Sequence, residues 1–119
     1  MINWFEIPAK DINRAIKFYS SVLGIQINAV DMFGTKMGFF PNDEQSVSGA
    51  IVQGDGYEPS ATGAVLYLNG GDNLEVCLSK VEEAGGKIIV PKTQISVEMG
   101  YFAMFIDSEG NRIAFHSLN

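Results

Sequence analysis

The sequence predicts an α+β domain of two βαβββ modules in which curved mixed sheets form a cup. Three observations predict it. The chain repeats itself once: Asp11 and Asp72, and Gly24 and Gly85, each stand 61 residues apart. Such self-similarity marks a duplicated supersecondary unit. Each copy runs from a short apolar strand through an Asp-opened segment of helical periodicity to a glycine, then into further strands. Finally, Asp107-Ser108-Glu109-Gly110-Asn111 separates two apolar runs as a hairpin signal. One domain over 1–119 follows, with module one at about 1–57 and module two at about 61–119.

Residues 2–8 open module one as a strand. Asp11 is the expected N-cap, and Ile12, Ala15, Ile16, Tyr19 and Leu23 recur at helical spacing on one apolar face. Gly24 is the expected C-cap, where positive φ costs least. Strands are expected at about 25–30, 35–40 and 47–53, separated by turn signals at Phe33-Gly34 and Pro41-Asn42-Asp43-Glu44. Asp55 to Ser60 reads as the linker. In module two a strand at 63–69 leads to Asp72, with Glu75 at capping-box spacing. Leu74, Cys77, Leu78 and Val81 are the expected buried helix face, ended by Gly85-Gly86. Strands near 87–90, 99–106 and 112–117 complete the module.

Composition excludes several classes. Eight basic against fourteen acidic residues give a net charge of −6, which opposes nucleic-acid binding and docking on anionic membranes. No apolar run approaches the roughly 20 residues of a membrane span. The opening Met-Ile-Asn-Trp-Phe-Glu has no basic n-region followed by an apolar h-region, which predicts no export. A single cysteine, Cys77, forms no internal disulfide and fits a cytoplasmic location.

Asp11 through Tyr19, ending in Val22-Leu23-Gly24, resembles the first helix of the vicinal-oxygen-chelate superfamily. That group includes glyoxalase I, fosfomycin- and bleomycin-resistance proteins and extradiol dioxygenases. Val81-Glu-Glu-Ala-Gly-Gly86 and Phe105-Ile-Asp-Ser-Glu-Gly-Asn-Arg112 resemble its second-half signatures. The resemblance spans nearly the whole chain. It implies the fold, and it implies four strand positions that in the family's enzymes hold a divalent metal through His, Glu or Gln. Carried onto this chain those positions are Trp4, Gln53, Val65 (with Gly63 as the fallback) and Ala114. An indole, an isopropyl and a methyl group donate nothing to a metal, and a lone carboxamide donates weakly. No metal and no other cofactor is therefore expected.

Strand alternation turns Glu6 to the same face as Trp4, and His116 to the same face as Ala114. Register adds Tyr67, Phe102 and Met104, and Ile51 with Gln53. The expected ligand-binding set is thus Trp4, Glu6, Gln53, Tyr67, Phe102, Met104 and His116, an apolar and aromatic cup with sparse polar groups. Trp4 either stacks on a ligand or fills the space that a metal and its waters would occupy. Glu6, turned into an apolar surface, is either a general base or bonded to backbone or a partner subunit; His116 is the other catalytic candidate. The function expected is metal-independent binding of a small, partly apolar or aromatic molecule, as in bleomycin-resistance-type proteins. The alternatives are a glyoxalase-like lyase or isomerase using Glu6 as base, and an interaction protein with a filled pocket. A homodimer is expected from the family resemblance.

Overall fold

A computed structural model describes residues 1–42 and 46–119. The Asp43-Glu44 part of the second turn signal lies outside the described residues. Ten elements follow in order: β1 (Trp4–Pro8), α1 (Ile12–Leu23), β2 (Ala29–Met32), β3 (Thr35–Phe39), β4 (Ser48–Gln53), β5 (Tyr67–Asn69), α2 (Glu75–Leu78), β6 (Lys87–Ser96), β7 (Gly100–Ile106) and β8 (Arg112–Ser117). They build two four-stranded sheets of matching order, β1-β4-β3-β2 and β5-β8-β7-β6. The first strand of each pairs parallel with the last, and the other pairs are antiparallel. This is the α+β arrangement of two βαβββ modules that the repeat predicts.

Helix α1 begins and ends as its sequence dictates. The Asp11 carboxylate accepts from Arg14 N at 3.1 Å, and Gly24 closes the helix at φ 66°. Its buried face is wider than the predicted stripe, because Phe18 and Val22 join Ile12, Ala15 and Tyr19. The reason is that α1 lies against both sheets. Ile16 meets β3 at Gly38, where a Cβ would come within 2.9 Å of it. Phe18 reaches Phe105 of β7, ring centroids 6.0 Å apart. One core results, holding Ile7 and Ile51 of sheet one with Ala103, Phe105 and Phe115 of sheet two.

Four predicted elements differ. The strand expected at 25–30 starts only at Ala29; Ile25 and Ile27 instead pack into the core. Strand β5 is limited to three residues. Strand β6 runs on to Ser96 through Pro91. As an edge strand with register shifts around Pro91, it tolerates the missing N–H. Helix α2 is four residues with turns after it, and Asp72 does not cap it. Among the described residues no helix is long and apolar enough to cross a membrane.

Candidate functional site

Register fixes which side chains share a face. In sheet one, Glu6 pairs with Ala50, Ala50 with Phe39, and Val52 with Met37. These side chains, with Trp4, point away from the core, whereas Ile7 and Ile51 point into it. In sheet two, Tyr67 pairs with Ala114, Ala114 with Met104, and Phe102 with His116. That face also points away from the core, which holds Phe105 and Phe115 instead. So Trp4, Glu6, Tyr67, Phe102, Met104 and His116 all lie on outward sheet faces.

Gln53 does not. Its Oε1 accepts from Ile12 N at 2.8 Å, on the helix side of β4, and Ile51 is on that side too. The mapping fails for a definable reason. Glu6 and Tyr67 are 61 apart, but their pairing partners Ala50 and Ala114 are 64 apart. A slip of three residues reverses a side chain's face. The first-half counterpart of Ala114 is therefore Ala50, fully buried beneath its larger neighbours. The four positions become Trp4, Ala50, Val65 and Ala114, and none offers a metal donor. This donor set does not fit a divalent ion. Among the described residues no group of three His, Cys, Asp or Glu could hold one.

Four of the six outward residues divide between two hollows. One, of about 330 Å³, runs between the free edge β1 and the segment 60–66 that leads into β5. Trp4 and Glu6 border it together with Ile7, Leu66, Arg112 and Ile113. A larger hollow, of about 540 Å³, lies on module two and is bordered by Tyr67, Asn69 and His116. Part of its wall is the chain end, where Leu118 is 65% exposed. Phe102 and Met104 border neither. The first hollow is the stronger candidate, because it joins both modules and contains a ligand position of the fold.

Trp4 is 44% exposed and tilted at 54° against Phe39, so it does not fill the groove outright. Glu6 is exposed, contrary to the expectation of a carboxylate pressed into apolar surface. Its Oε1 accepts from the Tyr57 hydroxyl at 2.9 Å. That bond to a carboxylate pushes the Tyr57 pKa up. Arg112 is half-buried; Nη2 donates to Gly63 O at 3.3 Å, and Nε is buried without an acceptor. In the other hollow, His116 Nε2 lies 2.6 Å from Met99 O. A carbonyl only accepts, so Nε2 donates in this bond.

Arg112 of the groove, and Tyr57, which bonds to Glu6 at its border, escaped the sequence reading. Arg112 stands two residues before Ala114, so alternation alone places it on the outward face. Tyr57 comes from the inter-module loop, where no periodicity indicates direction.

The comparisons agree with this fold. The model of the Glyoxalase/Bleomycin resistance protein/Dioxygenase superfamily matches residues 1–115. The chain belongs to this superfamily. A glyoxylase-like domain-containing protein of Didymella fabae is 32% identical over 115 residues, covering 92% of this chain and 88% of that protein. The hypothetical protein SA1046 of S. aureus superposes with a TM-score of 0.69 at 26% identity, covering 96% of this chain and 94% of that one. A superfamily enzyme of Burkholderia phytofirmans PsJN gives 0.71 at 17% identity, covering 98% of each chain, and so shares the fold. Superfamily membership fixes the scaffold and leaves the chemistry to the groove residues.

Proposed function

We propose that this protein binds a small, partly apolar or aromatic molecule without a metal, in the groove between β1 and segment 60–66. Bleomycin-resistance-type members of the superfamily are the analogy. The observation that carries the reading is the donor-free set Trp4, Ala50, Val65 and Ala114 at the ligand positions, of which Trp4 borders the groove with its side chain partly open. Apolar walls with a few polar groups suit a compact organic ligand. The alternative, a lyase or isomerase with Glu6 as base, loses its physical premise. Glu6 is exposed and already bonded to Tyr57. Pairing of two copies belongs to the same proposal, since Trp4, Val30, Met32 and Tyr67 leave apolar surface open on the outward faces.

Native mass spectrometry on protein purified without a metal-chelating tag tests this. The expected spectrum shows an organic adduct, no stoichiometric Zn, Ni, Mn or Fe, and twice the 12.9 kDa chain mass. One metal per chain that survives dialysis overturns the metal-independent reading. A species at the single-chain mass at all concentrations overturns the dimer.

A further inference from the structure

We infer that the ligand of this groove is an aromatic zwitterion, its carboxylate taken by Arg112, its ammonium by Glu6 and its ring by Trp4. The inference rests on the binding reading above and names the ligand class for that site. Its basis is a pair of opposite charges in one groove that do not satisfy each other. Glu6 and Arg112 both border it. Among the described residues the ion pair found is Arg14 with Glu109, and neither Glu6 nor Arg112 has one. The Glu6 side chain has one hydrogen bond, from a neutral phenol. The Arg112 side chain has one long bond to a carbonyl and a buried Nε–H with no acceptor.

A guanidinium has five N–H donors in a fork that matches a carboxylate. The Nε–H is closed to solvent, so an arriving carboxylate would take the Nη donors and neutralise the group that carries them. The charge pattern then discriminates between ligand types. A simple anion meets Glu6 and is repelled. A simple cation meets Arg112. A neutral ring expels water from both charges and returns no partner to either. A molecule with both charges answers both groups, and the exposed indole of Trp4 with Leu66 receives its apolar body. An aromatic α-amino acid has this combination in a compact form.

Trp4 is the sole tryptophan, so its fluorescence reports occupancy. Four matched probes separate the contributions: phenylalanine, phenylalaninamide, 3-phenylpropanoate and 2-phenylethanol. Phenylalanine is expected to bind about tenfold or more tightly than each of the others. Glu6→Gln should erase its advantage over 3-phenylpropanoate. Arg112→Gln should erase its advantage over phenylalaninamide, and Arg112→Lys, which keeps the charge should the glutamine variant unfold, should restore part of it. All four probes binding within threefold of one another, or 2-phenylethanol binding best, overturns the zwitterion and leaves the binding reading standing. Silence from all four, with a neutral aromatic adduct in the native spectrum, does the same. Silence from all four with no organic adduct overturns both.

Discussion

The two modules close the same joint with different chemistry. In each, the residue after the outward-facing pair on the last strand accepts from the start of the helix. In module one Gln53 Oε1 takes Ile12 N at 2.8 Å, and in module two Ser117 Oγ takes Leu74 N at 3.0 Å. Module one then has an anchor that module two lacks. Glu109, from the β7–β8 turn of module two, accepts from Lys10 N and Asp11 N, both at 2.9 Å, and pairs with Arg14 at 2.7 Å. A carboxylate at a helix N-terminus answers its unpaired N–H groups and its dipole together. Helix α1 runs for 12 residues. Helix α2 lasts four, and from Cys77 onward its bonds tighten, with Lys80 N on Cys77 O and Val81 N on Leu78 O. A duplicated pattern thus gives a full helix where the other module anchors its start, and a single turn where only the module's own residues do.

Removing that anchor should have the largest effect. Glu109→Ala strips acceptors from two backbone donors and from Arg14, and should cost about 2–4 kcal/mol in urea unfolding. The counterpart Ser117→Ala should cost about 1 kcal/mol. Equal losses would break the comparison. The pH dependence sharpens it. Burial pushes the Glu109 pKa up, but bonds from Arg14, Asp11 N, Ser108 and Lys10 N outweigh it, and the net shift is downward. A depressed carboxyl stabilises the fold above its unfolded pKa of about 4.3. That contribution disappears as pH falls through the lower folded value. Glu109→Gln should therefore flatten the acid end of the stability curve, while Ser117→Ala should leave its shape unchanged.

The local parts of this architecture were legible in the sequence. Asp11 and Gly24 act as they read, since a cap depends on residues within one turn. The outward faces of β1, β7 and β8 follow from alternation. What failed depended on distance. A constant repeat offset turns Gln53 outward, whereas an extra three residues in module two make Ser117 its true counterpart. Glu109 read as part of a hairpin, and nothing in the order of residues says that this hairpin closes on a helix start 98 positions away. Arg112 meets the groove, and Tyr57 meets Glu6, for the same tertiary reason.

A second link between modules gives an intermediate effect. The Tyr19 hydroxyl of α1 donates to Asp107 Oδ2 at 2.6 Å in the buried interior. Burial first, and then the Asp107 carboxylate, push the Tyr19 pKa well up, so the phenol stays protonated as a donor. Tyr19→Phe keeps the ring packed on Phe18 and Phe40. It leaves Asp107 Oδ2 with Asn111 Nδ2 at 3.0 Å as its remaining donor. The expected loss is about 1–2 kcal/mol. A loss under half of that in thermal and urea unfolding would mean that the core, rather than this bond, sets how the modules sit on each other.

The smallest effect separates two residues that the repeat makes equivalent. Asp11 has extended backbone angles and caps Arg14 N. Asp72 is exposed and, among the described residues, its side chain makes no hydrogen bond. Its neighbour Asn73 does that work, with Oδ1 accepting from Glu75 N at 3.0 Å and from Lys92 Nζ at 2.9 Å. Asp11→Ala should cost about 1 kcal/mol, the usual loss of an N-cap. Asp72→Ala should stay within about 0.5 kcal/mol, as an exposed change away from any such feature does. Matched urea titrations of the two variants decide it. A loss at Asp72 equal to that at Asp11 would mean that module two holds a capped helix longer than four residues, and the contrast between the helices would fail at its origin.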